Sequence, residues 1–137
     1  MKSQRNSVSI PGGEMQVDAL QCGEIIHIKP QGRMVYENSA FFAEKLQEFL
    51  LKEGGVYLVD VDSVERIDST GLGGLINFAR LVTKQGGKIG FVVTRPFLRE
   101  LFLMAQFDKV FPVVETVEAG EALLLSGFTA QICLEQY

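Results

Sequence analysis

The segment Val56-Tyr57-Leu58-Val59-Asp60-Val61 is nearly continuous in apolar residues, the pattern of a strand covered on both faces. A second such run, Lys88-Ile89-Gly90-Phe91-Val92-Val93, follows one helical pattern later. Between them, from about Thr70 to Gln85, Leu72, Leu75, Ile76, Ala79 and Val82 recur on one helical face, and Gly86-Gly87 closes the pattern. An earlier helix is expected from about Asn38 to Lys52, with Phe42, Leu46, Phe49 and Leu50 as its stripe and Gly54-Gly55 as its stop. Arg95-Pro96 places proline at a first helical position, ahead of the stripe Leu98, Leu101, Phe102 and Ala105. A short strand near Val110-Phe111 and a last helix from about Val117 to Leu125 complete the series. Strands alternating with helices over short connections require crossover units and a largely parallel sheet. Upstream, Glu24–Lys29 reads as a strand ended by Pro30 and Gly32. A strand over Met15–Leu20 would join it in a hairpin across Gln21-Cys22-Gly23, which makes the sheet mixed.

A chain of 137 residues closes one core. The expected organisation is a flexible lead-in at 1–13, ending in Pro11-Gly12-Gly13, one α/β domain at 14–125, and a tail at 126–137. That tail carries Phe128, Ile132, Leu134 and Tyr137 and is too apolar for a free linker. Thirteen basic against seventeen acidic side chains leave a net charge of −4. That balance argues against a nucleic-acid partner, which needs a basic face. No apolar run approaches the roughly 20 residues of a membrane-spanning helix, and Met1–Asn6 has no apolar stretch behind it to form a secretory signal. A cytoplasmic location is expected. Cys22 and Cys133 are far apart, without metal or disulfide spacing, and are expected as buried or idle thiols.

The link between the first apolar strand and the best-defined helix carries the chemistry. It reads Ser63-Val64-Glu65-Arg66-Ile67-Asp68-Ser69-Thr70-Gly71-Leu72-Gly73-Gly74-Leu75. Asp68 and Ser69 are both good N-cap types. Each glycine inside a helix costs about 1 kcal/mol relative to alanine, so Gly71, Gly73 and Gly74 need a reason. Either the helix end packs closely on the sheet, or another molecule approaches the backbone here.

Enzymatic readings fail one by one. A dinucleotide fingerprint would need glycine where Ile76 stands, and a P-loop needs Lys-Ser/Thr where Leu75-Ile76 stand. The hydrolase elbow fails at Ile67, and an aspartic-protease motif has no room for the extra residue in Asp68-Ser69-Thr70-Gly71. His27, the one histidine, lies inside a strand and reads as a surface or packed residue. A receiver-type site at Asp60 and Asp62 would need an acidic pair after the first strand, and Ile28-Lys29-Pro30-Gln31 supplies none. Those two aspartates read as solvated loop residues. No catalytic residue, metal or cofactor is expected.

The hydroxyl pair Ser69-Thr70 remains, exposed at a helix start. Phosphate there would add about −1.5 to −2 charges, which a helix N-terminus favours by about 0.3–1 kcal/mol. The fold would survive. A docked partner would not, because an unpaired dianion in an interface costs several kcal/mol, and about 1.4 kcal/mol is tenfold in affinity.

Val56–Val61, Ile67-Asp68-Ser69-Thr70-Gly71-Leu72-Gly73 and Gln85-Gly86-Gly87 together resemble the STAS domain of bacterial anti-sigma-factor antagonists. Arg95-Pro96-Phe97-Leu98-Arg99-Glu100-Leu101-Phe102 and Phe107-Asp108-Lys109-Val110-Phe111-Pro112 extend the resemblance, which covers about residues 14–125. It implies a four- to five-stranded mixed sheet with helices packed mainly on one side. It also implies partner switching: the unphosphorylated module binds an anti-sigma factor that is a serine kinase of the histidine-kinase-like ATPase type. Phosphorylation of the hydroxyl residue after the aspartate, here Ser69 with Thr70 as alternative, releases the module, and a PP2C-type Ser/Thr phosphatase restores it. The implied partner-binding loop is Asp68, Ser69, Thr70, Gly71, Leu72 and Gly73, its Gly71 and Gly73 admitting the kinase to the backbone. Two features depart from the family. Gly32-Arg33-Met34-Val35 stands where Gly-Glu-Leu-Asp is usual, and the apolar tail is longer. A STAS switch in another circuit (secretion, biofilm or chemosensory output) is the alternative, and a constitutive scaffold with Ser69 as a mere cap is a third. A membrane-transporter STAS domain is a weaker option.

Overall fold

The computed structural model describes residues 7–8, 15–50 and 54–126. Among these described residues seven strands form one sheet: β1 (Ser7–Val8), β2 (Met15–Cys22), β3 (Ile25–Met34), β4 (Val56–Asp60), β5 (Val64–Ile67), β6 (Lys88–Val92) and β7 (Val113–Val114). Four α-helices accompany them: α1 (Ser39–Phe49), α2 (Ser69–Lys84), α3 (Pro96–Met104) and α4 (Val117–Ser126). The sheet order is β1-β2-β3-β4-β6-β7, with β5 on β3. The first two pairings are antiparallel and the rest parallel. The expected mixed sheet is therefore present, extended at both edges by two-residue strands. Ser7 pairs with Gln16 and Val8 with Met15, so part of the segment expected as a lead-in belongs to the sheet.

The long strand β3 organises the site. Its first half, Ile25–Ile28, pairs with β4, and its far end, Gly32–Met34, pairs with β5. It runs straight through Pro30 and Gly32, which were expected to end it. Residues 29–31 fall between the β4 and β5 registers. Gly32 N–H donates to the Ser63 carbonyl at 3.1 Å on that side. Strand alternation points the proline nitrogen to the same side, where no ladder bond is needed, so the strand continues.

Alternation also sorts the two faces. Ile26, Ile28, Tyr57, Val59, Ile89 and Phe91 face α1, α2 and α3 in the main core, with Phe42, Leu46, Leu75, Phe78, Val82, Leu98 and Phe102. Tyr57 is fully buried in the central strand, edge-on to Phe78 at 5.4 Å. Its hydroxyl donates to the Phe49 carbonyl at the end of α1, one of the carbonyls a helix leaves unpaired. The opposite face holds a smaller cluster, Ile25, Leu58, Val92 and Leu124, under α4. The packing is thus mainly, though not wholly, on one side.

Several boundaries move. The last strand is Val113–Val114 rather than Val110-Phe111. Phe111 turns back onto Phe91 with ring centres 5.9 Å apart, and pairing with β6 begins at Pro112, whose carbonyl accepts from Phe91 N–H. α1 ends at Phe49, and residues 51 and 52 of its expected span lie outside the described residues, as does the tail from 127 with Phe128, Ile132, Cys133, Leu134 and Tyr137. Cys22 is exposed, not buried.

Candidate functional site

The chain leaves β5 at Ile67 and enters α2 two residues later. Asp68, with extended backbone (φ −115°, ψ −171°), is the N-cap, and its Oδ1 accepts from Gly71 N–H at 3.0 Å. Its Oδ2 accepts from Tyr36 N–H, also at 3.0 Å, while Asp68 N–H donates to the Met34 carbonyl. One carboxylate thus fastens the β3–α1 connection to the start of α2. Of the two candidate caps, Asp68 does the capping. Ser69 is the first helical residue, exposed, and its hydroxyl makes no capping bond.

The three glycines divide. A Cβ on Gly71 would lie 2.2 Å from the Met34 carbonyl oxygen and 2.8 Å from Ile67 Cγ1. A Cβ on Gly74 would lie 2.6 Å from the Phe42 ring. Both are close-packing glycines. Gly73 is exposed, with nothing within 4 Å of where its Cβ would be. Of the two glycines expected to admit a partner, only Gly73 opens to solvent, whereas Gly71 is buried against β3. Thr70 and Leu72 are half-buried, and Leu72 packs on the main core. What was expected as a surface loop is a capped first turn with an inner and an outer side.

The outer side continues along the helix. Ser69, Gly73, Asn77, Arg80 and Lys84 are all exposed, and their spacing puts them on one stripe. Tyr36, 68% exposed, sits beside the helix start through its bond to Asp68. Arg33 and Arg66, in register on β3 and β5, lie at the same end of the sheet.

The other residues singled out by the sequence do not converge on this turn. His27 is on the opposite face of the sheet, its Nε2 3.0 Å from Glu121 Oε2 on α4, which makes it a packed contact of that helix. Asp60 and Asp62 are more than solvated loop residues. Asp60 Oδ1 accepts from Asp62 N–H, and the Asp62 carboxylate accepts from Thr94 N–H and Thr94 Oγ1 at 2.9 and 2.8 Å. Arg95 closes the same junction by donating to the Asp62 and Val64 carbonyls. Among the described residues no group of three or more His, Cys, Asp or Glu is placed to hold a metal, and no helix is long and apolar enough to cross a membrane.

Residues 16–120 match the STAS domain family. No curated protein matches the chain in sequence. Among solved structures, the chain is similar to an anti-sigma factor antagonist from Mycobacterium paratuberculosis (TM-score 0.74, 18% identity, 85% of this chain and 98% of that one). It is also similar to the Bacillus cell-fate determinant SpoIIAA in its phosphorylated form (TM-score 0.57, 13% identity, 78% and 98%). A sulfate transporter family protein from Wolinella succinogenes shares the fold too (TM-score 0.62, 17% identity, 85% and 92%). At these identities the likeness is one of fold.

Proposed function

Because this chain belongs to the STAS domain family, we propose that it is a non-enzymatic, phosphorylation-controlled partner-switching module of the anti-sigma-factor-antagonist kind. In its unphosphorylated form it binds a kinase of the histidine-kinase-like ATPase type that doubles as an anti-sigma factor. Phosphorylation on Ser69 releases it, and a PP2C-type phosphatase resets it. The observation that carries this reading is the division of labour in the first turn of α2. Asp68 holds the fold while Ser69 stands exposed beside it with no capping bond, and the open Gly73 lies one turn further along the same side. A hydroxyl free of structural duty can be modified without unfolding the domain. The same exposure favours Ser69 over the half-buried Thr70 as acceptor. SpoIIAA, whose fold this chain shares, has been solved in phosphorylated and unphosphorylated forms.

The test is incubation of the full chain with each histidine-kinase-like ATPase of the same genome and ATP, followed by peptide mass spectrometry. Phosphate on Ser69, and loss of kinase binding in Ser69→Asp with an unchanged melting temperature, are the expected results. Phosphate on other residues only, or Ser69→Asp binding as tightly as the parent chain, overturns the reading.

A further inference from the structure

Arg33 and Arg66 are register partners on the parallel strands β3 and β5, so their Cα atoms lie about 4.8 Å apart on the same face. Their chain neighbours Met34 and Ile67 form the next register pair and are buried in the core. Like charges placed side by side on adjacent strands repel, and among the described residues no direct ion pair relieves the repulsion. Among the described residues neither arginine forms an ion pair or donates a side-chain hydrogen bond. Arg33 Nε is shut off from solvent without a hydrogen-bond acceptor. The nearest carboxylate in sequence with a defined role, Asp68, is occupied by Gly71 and Tyr36 N–H groups. With Arg33 Nε closed off, the Nη ends of the two guanidinium groups are what a carboxylate brought from outside can reach.

The position of the pair indicates which molecule brings it. Arg66 precedes Ser69 by three residues, and the pair lies at the end of the sheet where α2 starts, on the face turned away from that helix; exposed Tyr36 is tethered to Asp68 at the same end. Tyrosine and arginine together are the residues that dominate protein–protein contacts. A nucleic-acid strand is a poor fit, because a face that docks such a partner is basic throughout, whereas exposed Glu37 and Glu65 stand near the pair in sequence and the chain carries −4 overall. We propose that Arg33 and Arg66 are the specificity-determining part of the partner-docking surface, and that they receive paired Asp or Glu side chains of a protein partner. This deepens the switching reading and rests on it for the partner's identity. The electrostatic claim can be tested on the chain alone.

The experiment is an NMR titration of the ¹⁵N-labelled full chain, following the Arg Nε–Hε signals, with hexaglutamate and separately with a single-stranded hexanucleotide. Saturable shifts of the Arg33 and Arg66 signals with hexaglutamate, weakening as salt rises, are expected. No shift with the peptide, or equal or tighter binding of the oligonucleotide at these signals, overturns the proposal. A second arm uses the kinase that binds the parent chain. Arg33→Ala/Arg66→Ala should weaken that complex about 30-fold, the scale of an interfacial charge pair losing one side. Arg33→Lys/Arg66→Lys should recover part of the loss, and the alanine variant's melting temperature should not fall. Binding within twofold of the parent overturns it. If Ser69 proves not to be a switch, Ser69→Asp leaves kinase binding intact while the peptide titration still reads the arginines, so the two failures are distinguishable.

Discussion

On the inner side of the α2 start, Asp68, Gly71 and Gly74 are engaged with β3, the β3–α1 connection and α1; on the outer side, Ser69 and Gly73 face solvent. The two sides alternate within seven residues of sequence, yet they obey different constraints. Inner residues are fixed by contact distances to backbone and ring atoms that have no room to give. Outer residues touch little of the fold, so beyond helix propensity only an external molecule gives their identity a consequence. A helix start built this way can present a modifiable hydroxyl on a turn whose stability is secured from behind.

Substitutions can break this contrast, beginning with the largest effect. Gly71→Ala forces a Cβ against the Met34 carbonyl of a central strand and should destabilise by about 3 kcal/mol, the upper range of overpacking. A urea unfolding curve with an unchanged midpoint would show that the inner side is not tight. Asp68→Ala removes the cap of α2 and the acceptor for Tyr36 N–H, and should cost about 2 kcal/mol by the same measurement. Gly73→Ala should go the other way and stabilise by about 1 kcal/mol, since the new methyl meets open space on a helix that gains propensity. The sharper form of that prediction is a simultaneous loss of partner affinity by calorimetry. A more stable variant with full binding would mean that no partner approaches the Gly73 backbone. Ser69→Ala should change stability by less than about 0.5 kcal/mol, because Asp68 rather than Ser69 caps the helix. A melting temperature several degrees lower would put Ser69 back among the structural residues.

Much of the fold was legible in the chain. The apolar runs at 56–61 and 88–93, the helical stripes and the Gly-Gly stops placed β4, β6, α1 and α2 to within a few residues. Less legible were features set by registers. The sequence shows Pro30 and Gly32 as breakers, and only the gap between two partner strands on one side of β3 reveals why the strand continues. Val110-Phe111 has strand composition, but Phe111 packs better in the cluster of Phe91 and Phe107 than in a ladder, so the edge strand forms three residues later. The Arg33–Arg66 pair left no sequence signal of its own, since thirty-three positions separate residues that a bulged parallel register makes neighbours.

By itself the sequence determined the mixed α/β sheet, the helix that opens at Asp68 to Gly71, and the hydroxyl placed at its start, because periodicity, capping chemistry and glycine cost are local properties. The tertiary structure decided what each residue of that turn does. Asp68 became the cap because its carboxylate could also reach Tyr36 N–H; Gly71 and Gly74 turned inward because Met34 and Phe42 lie there; Ser69 and Gly73 were left outside. The reason is geometric. A helix turns about 100° per residue, so neighbours in sequence meet different surroundings, and those surroundings come from strands and helices distant in the chain.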